Sequence, residues 1–559
     1  LLLRAIAACS LFPAIVLAVA GEGAAQQSTD LPNIDRRFES EQSPKPPKER
    51  SRLKLPAVDD RRPEDEAIQP FILSGVVIEG ASAFEVSAFT TAYEEFLAKQ
   101  VGSAEIQTIV QRVTRTYTDA GYFLSRAIAP AQDIVGGLIR IRVIEGFFKK
   151  VTFAGAYAGK SALQRYVAPI RAARPANMAA LERALFLMND MAGLTIDPSV
   201  EALDEASGEY ELVIQLGQKH VDAFARLDNR GTPEVGRLQG WLGASVNSLF
   251  GLGERIGATF ITVPSEPEEL LYGAVSSDIP VGAYGTLLSL FGAYSTIDAG
   301  SSSEPLDSES RSYQFIGRLS HPLIRSKEQN LWINGSFDFR NFREKQFGST
   351  VISDRLRTLR LGASYQVQDR FKGQTRVGVG VSQGLDIFGA SDNGSTERSR
   401  SNGRNDFTKV TGDIVRRQTI TELVAVQAGV SGQWAAVPLL SYEEFPVGGE
   451  QFGRAYDFSE ISGEHGVAGS VELQVGRRSK WSWLDEYQFY GFYDIGAVWN
   501  KVSGNSDIRS SLSSAGAGMR VKLFEKLQAN LEAAKPLDRD VNTEDDNDWR
   551  FFFTTTVTY

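Results

Sequence analysis

The chain of 559 residues contains one cysteine and three histidines. Cys9 lies in an apolar run near the start, so a chain trimmed after that run has no disulfide and no thiol chemistry. His220, His321 and His465 are far apart and lack metal-ligand spacing, so no metal site and no cofactor is expected. There is no Gly-x-Ser-x-Gly nucleophile motif. Gly251 to Gly257 (GLGERIG) has the wrong spacing for a dinucleotide loop and no helix behind it, and reads as a hairpin turn. No catalytic residue emerges, and an enzyme is not expected. Basic residues number 59 against 69 acidic, a net charge of −10, which argues against nucleic acid as a partner. Long apolar runs are also missing, save Ala5 to Ala20. That run is short for a membrane-spanning helix. With Arg4 before it and Ala18-Val19-Ala20 closing it, residues 1–20 read as a signal peptide, with Gly23-Ala24-Ala25 a second cleavage option. The apolar sequence continues past Ile6-Ala7-Ala8-Cys9, so lipidation is not expected. The chain begins with Leu rather than Met, which leaves its true start open.

What is present is two-residue alternation, from about His220 to Tyr559. In Leu331 to Arg340, Leu331, Ile333, Gly335, Phe337 and Phe339 share one face, while Trp332, Asn334, Ser336, Asp338 and Arg340 share the other. Successive side chains of a strand point to opposite faces, so this strand has an apolar and a polar side. The last strand repeats the pattern, with Phe551, Phe553, Val557 and Tyr559 against Arg550, Thr554, Thr556 and Thr558. A long series of such strands, after an export signal and without a spanning helix, points to a membrane β-barrel over 219–559. All seven Trp (241, 332, 434, 481, 483, 499 and 549) lie in this half and suit aromatic girdles. A soluble β-sandwich also alternates, but one this long would normally divide into domains.

Residues 21–70 are polar and proline-rich and read as a linker, with a weak short helix within 31–41. Residues 71–146 follow the order strand, helix, helix, strand, strand. The strand Ile72–Ile78 comes first. Val86, Phe89, Tyr93 and Phe96 mark one helix. Ser103 is the expected N-cap of the next, whose core face is Ile106, Ile109, Val110, Val113 and Tyr117. Tyr122–Ala129 and Leu138–Ile144 are the closing strands. Residues 147–218 repeat the plan, with Met178, Leu181, Leu185 and Met188 on a core helix face rather than in a cofactor box.

Two βααββ units ahead of a barrel resemble the layout of the TpsB family (ShlB/FhaC/HecB-type), the outer-membrane transporters of two-partner secretion, related to the BamA assembly proteins. Asp228-Asn229-Arg230-Gly231 and the turn Gly251-Leu252-Gly253 are similar to the start of these barrels. The resemblance implies an α+β periplasmic part, POTRA 1 at 71–146 and POTRA 2 at 147–218, followed by a sixteen-stranded antiparallel barrel. About 340 residues over sixteen strands leave about 21 per strand and connection, a comfortable fit. It implies a lumen loop at 445–466 tipped by a Val-Arg-Gly-Tyr/Phe motif. Arg454 and Tyr456 match that motif, while Gly453 replaces the Val and Ala455 the Gly, which puts the turn geometry in question. Phe492, Asp494 and Gly496 match the family's Phe-x-Asp-x-Gly strand motif. An acid on the lumen wall offers a guanidinium a fork-matched acceptor, so an Arg454–Asp494 pair is expected to dock the loop. Arg520 and Lys522 alternate with apolar neighbours and are expected to line the pore. Some relatives begin with a plug helix, and 21–41 occupies that place. Tyr559 resembles the terminal aromatic by which barrel-assembly machinery recognises its clients.

The implied function is translocation of a large unfolded exoprotein from periplasm to cell surface, its N-terminal TPS domain received by the POTRA units, with outer-membrane lipid around the barrel. A BamA-like assembly factor is the alternative. A passive porin would not need two periplasmic units. Adhesin, cytolysin and toxin cargoes would all suit such a carrier.

Overall fold

The computed structural model describes residues 31, 33, 36–38, 69–155, 157, 160–300, 306–501 and 508–559. The expected signal peptide, Cys9 and most of the linker lie outside these residues.

The first α/β unit departs from its expected plan in detail. The opening strand is two, β1 (Phe71–Ile72) and β2 (Gly75–Glu79), because Leu73 turns into the core between them. Of the first helix only short 3-10 and α turns over 86–96 form, with Phe89 buried and Val86 exposed. After β3 (Gln100–Val101), the helix Ser103–Asp119 is capped by Gly102 rather than Ser103, whose side chain is already inside the first turn. The Gly102 N–H donates to the Glu105 carboxylate at 2.7 Å, which satisfies a helix-terminal donor. Ile106, Ile109, Val113 and Tyr117 are buried at the expected three- and four-residue spacing. Only β4 (Arg126–Ile128) forms where Tyr122–Ala129 was expected, followed by β5 (Leu138–Ile144). The sheet order is β2-β5-β4. The second unit has β6 (Phe147–Ala154), helical turns over 160–172, the helix Met178–Asn189, β7 (Leu194–Asp204) and β8 (Glu209–Gln218), in the order β6-β8-β7.

The barrel strands up to the lumen loop are β9 (Val221–Asp228), β10 (Gln239–Asn247), β11 (Arg255–Thr262), β12 (Leu271–Val281), β13 (Thr286–Asp298), β14 (Glu309–Arg325), β15 (Gln329–Gln346), β16 (Ser349–Gln368), β17 (Gly373–Gly384), β18 (Thr408–Thr419) and β19 (Val424–Ala435). The loop carries the small hairpin β20 (Phe445–Val447) and β21 (Ile461–Gly463). After it come β22 (His465–Arg478), β23 (Leu484–Asn500), β24 (Ile508–Leu523), β25 (Leu527–Pro536) and β26 (Arg550–Thr558). Sixteen antiparallel strands close into a barrel when β26 pairs with β9. Closure pairs every strand edge, which a lipid setting demands. The alternation decides which side chains point inward. On β23, Phe489 and Tyr493 are 53 % and 42 % exposed on the outer wall, while Phe492 and Asp494 are 6 % and 0 % exposed inside. No described helix is long and apolar enough to cross a membrane. Trp241 is an exception to the girdle expectation. It faces inward and is buried, because a segment from before the barrel packs on it.

The second unit is bolted to the near end of the barrel. Arg165 donates to the carbonyls of Pro280 and Gly282, both at 3.1 Å, and Arg183 to that of Pro322 at 2.9 Å. Arg325 forks onto Asp190 at 2.7 and 2.8 Å. This end therefore carries the turns 248–254, 282–285 and 326–328, and the lumen loop enters from the opposite end.

Candidate functional site

The loop spans 436–464 between β19 and β22, so His465 and Gly466, expected within it, already belong to the wall. Its tip, residues 453–456, reaches the inner face of β22 and β23. Gly453 has φ +85°, a left-handed value, and a Cβ there would meet the Leu512 side chain at 2.7 Å. Ala455 is not among the residues of positive φ, so alanine is tolerated where the family motif has glycine. It is 0 % exposed. The permissive residue thus sits before the arginine here.

Arg454 is held from four directions. Its Nε and Nη2 donate to Asp494 Oδ2 and Oδ1, each at 3.0 Å. Its backbone N–H also donates to Oδ2 at 3.0 Å, and that of Gly453 does so at 3.2 Å. Nη1 donates to Glu472 Oε2 at 2.5 Å, and Nη2 reaches Ser470 Oγ at 3.1 Å. The guanidinium lies 3.6 Å from the centre of the Phe492 ring. The strand motif thus has one physical account. Phe492 is the platform, Asp494 the fork, and Gly496 leaves room for Val447 of the loop, which a Cβ would meet at 2.5 Å. Tyr456 places its hydroxyl against the Arg539 carbonyl at 3.1 Å and Asp538 at 3.3 Å, and its ring is buried. The carbonyls of Arg454 and Ala455 accept from Arg230 and Arg550 at 3.1 and 2.8 Å.

Arg520, expected only to line the pore, shares Glu472 with Arg454, its Nη1 donating to Oε1 at 2.7 Å. It also stacks 3.7 Å over Tyr490. Lys522 lies half-buried on the same face, away from the cluster. Tyr559 lies at the near end, its ring exposed and its backbone paired with Ala223.

Two features escaped the sequence reading. Glu472 is one; it alternates with Ser470 and Gln474 on the inner face of β22 and lies across from Phe492, a signal the alternation did carry. The second is a buried latch at the loop's root. Arg360 forks onto Glu443 at 2.6 and 3.1 Å, and Lys409 reaches the same carboxylate at 2.7 Å. Nothing periodic marks Glu443. Within the weak helix expected at 31–41, the described residues 31, 33 and 36–38 are helical and lie inside the barrel. Phe38 is 0 % exposed, with its ring 5.2 Å from Trp241 and 4.9 Å from Tyr272. Burying such a ring contributes about 1.5–3 kcal/mol. Arg37 pairs with Asp228 at 2.7 Å, and Arg36 donates to the Tyr442 carbonyl at 2.9 Å. That bond joins the segment to the loop. Trp241 and Asp228 face the lumen by parity, but no local pattern says what fills the space before them.

A lipid-facing barrel with α/β units at one mouth and a docked loop in its lumen defines an outer-membrane transporter with a periplasmic receiving part. The profile of the haemolysin secretion/activation proteins ShlB/FhaC/HecB matches residues 210–521, and a ShlB-type POTRA domain matches 71–146. The chain belongs to this family and is an outer-membrane transporter of the two-partner secretion type. It is 23 % identical over 470 residues to the heme/hemopexin transporter protein HuxB of Haemophilus influenzae strain 86-028NP, covering 81 % of each chain. It is 23 % identical over 377 residues to the outer membrane transporter CdiB of Dickeya dadantii, covering 66 % of each. The solved structure of CdiB from Escherichia coli superposes with a TM-score of 0.72 at 19 % identity, covering 94 % of this chain and 96 % of that one. A BamA structure from Haemophilus ducreyi lacking POTRA domains 1-3 scores 0.52 at 12 % identity, covering 88 % of this chain and 100 % of that one. Family members are transporters of secreted proteins, not enzymes.

Proposed function

We propose that this transporter carries one large unfolded exoprotein, and that the docked loop and the helical residues 31, 33 and 36–38 close its lumen at rest. The observation that carries this reading is the forked Arg454–Asp494 pair, buried at the loop tip. A closed barrel and a passing chain compete for one lumen, so both must leave their seats. Residues 71–146 and 147–218, read as POTRA 1 and POTRA 2, receive the cargo's N-terminal TPS domain. The sheet edges β2 and β4, or β6 and β7, suit strand addition. The chain itself performs no reaction, and folding of the cargo outside draws it through. Tyr559 serves recognition by the barrel-assembly machinery, and outer-membrane lipid surrounds the wall.

Depletion tests the reading. Loss of a single exoprotein from the medium is expected. Broad loss of membrane barrels would instead indicate a BamA-like assembly role. The pair is tested by charge exchange. Arg454→Asp with Asp494→Arg should secrete more than either single variant; equal secretion would refute the docking role.

A further inference from the structure

On the outer wall of β14, β15 and β16, the apolar strip ends in charge. Tyr313, Phe315 and Leu319 on β14 and Leu359 and Leu361 on β16 are exposed to lipid. Toward the end remote from the α/β units, the next outward positions are Arg311, Asn341, Arg343 and Arg355. Arg311 lies directly opposite Arg343, and Asn341 lies opposite both Tyr313 and Arg355. Arg343 and Arg355 are therefore diagonal neighbours. Opposed Cβ atoms lie about 5 Å apart and diagonal ones about 7–8 Å, and like charges directly opposite are destabilising.

Little nearby neutralises them. Glu309 accepts from Arg311 Nε at 2.9 Å, and it also lies opposite Lys345. Among the described residues, Arg343 and Arg355 form no ion pair, and Glu397, whose carbonyl accepts from the Ser353 N–H, pairs with neither. The backbone under Arg355 is fixed by mutual bonds with Ser391 at 2.8 and 2.9 Å. Two residues lower, Arg357 is buried 3.5 Å over the Phe339 ring and adds positive potential. Three outward arginines against one carboxylate stand out on a chain of net charge −10.

We propose that Arg311, Arg343 and Arg355 bind the phosphate-bearing head group of an outer-leaflet glycolipid, whose acyl chains lie along Phe315, Leu319, Leu359 and Leu361. Guanidinium forks match phosphate oxygens, and a shared dianion turns the cross-strand repulsion into attraction. The site faces lipid, not the lumen, so passing cargo is not its ligand. A free phosphate would leave the apolar strip beneath unused.

The test is titration of the full chain in detergent, read by native mass spectrometry. The probes are deep-rough lipopolysaccharide, the same lipid with its phosphates removed, phosphatidylglycerol and inorganic phosphate. Phosphorylated lipopolysaccharide should bind the parent at least about tenfold more tightly than the other three. R311Q/R343Q/R355Q should lose at least about tenfold of that affinity, while R477Q/K480Q at the opposite end should not. Heat-shifted mobility on gels checks that each barrel is folded. If the triple variant does not fold, R343Q alone replaces it, with a loss of at least about threefold expected. Unchanged affinity in a folded variant overturns the proposal, and so does equal binding of any of the other three probes.

Discussion

Replacing Asp494 by Asn should release the loop tip without changing its shape. Oδ2 of Asp494 accepts from the Gly453 and Arg454 backbone N–H groups and from Arg454 Nε, while Oδ1 accepts from Nη2. An amide can place one oxygen at the three-donor position. Its NH2 then faces Arg454 Nη2, donor against donor, and the carboxylate the arginine still pairs with is Glu472, which Arg520 also uses. Breaking a buried pair costs about 3–5 kcal/mol when nothing else compensates. Glu472 compensates in part, so the expected weakening of docking is about 2–4 kcal/mol, or an undocked population about 30- to 700-fold larger. Labelling can read that population. Ala455 is 0 % exposed, and Cys9 is the only native cysteine. In a Cys9→Ser, Ala455→Cys background, a bulky maleimide reacts only when the tip leaves its seat. Adding Asp494→Asn should raise the labelling rate by that factor. A rate within threefold of the background would refute the view that this pair holds the loop.

Three further outcomes follow from other contacts. Arg37→Ala removes one of the two arginines paired with Asp228 inside the lumen and should raise single-channel conductance in planar bilayers, as the helical segment loses its anchor. Glu145 of the first α/β unit is pushed up by burial, but hydrogen bonds from Ser82, Tyr117 and Ala83 outweigh this and hold it below the usual carboxylate range. Its contribution is full above the unfolded value near about 4.3 and is lost as pH falls through the lower folded value. Glu145→Gln should therefore speed hydrogen exchange in 103–119 at pH 7, and the gap from the parent should narrow at pH 3. Asp190→Asn weakens the fork to Arg325 and should broaden spin-label distances between the helix Met178–Asn189 and the barrel wall.

Strand parity made the wall legible, because one residue of shift would turn every lipid-facing side chain inward. Parity put Asp494 inside and Tyr493 outside, and the βααββ order was readable from two helical stripes and their flanking strands. Short elements were not. Leu73 interrupts an apolar run that reads as one strand, and Gly102 takes the cap that Ser103 would fill by type. The lumen's contents were harder still. Arg454 stood out among glycines, yet Glu443, Arg36 and Trp241 gain their roles only from segments distant in the chain, and no local periodicity encodes such a meeting.

The bolts under the second α/β unit have a consequence for exchange between transporters. Arg165 and Arg183 grip the turns through backbone carbonyls of Pro280, Gly282 and Pro322, not through side chains. Every residue type offers that carbonyl. The joint therefore asks mainly for turns of the right shape, with side-chain demands at the Arg325–Asp190 fork, at Arg325 over the Phe186 ring and at the Tyr157–Ser248 hydroxyl pair. Receiving units with different cargo preferences could be traded between barrels as modules, provided those arginines travel with them and these side-chain contacts are matched.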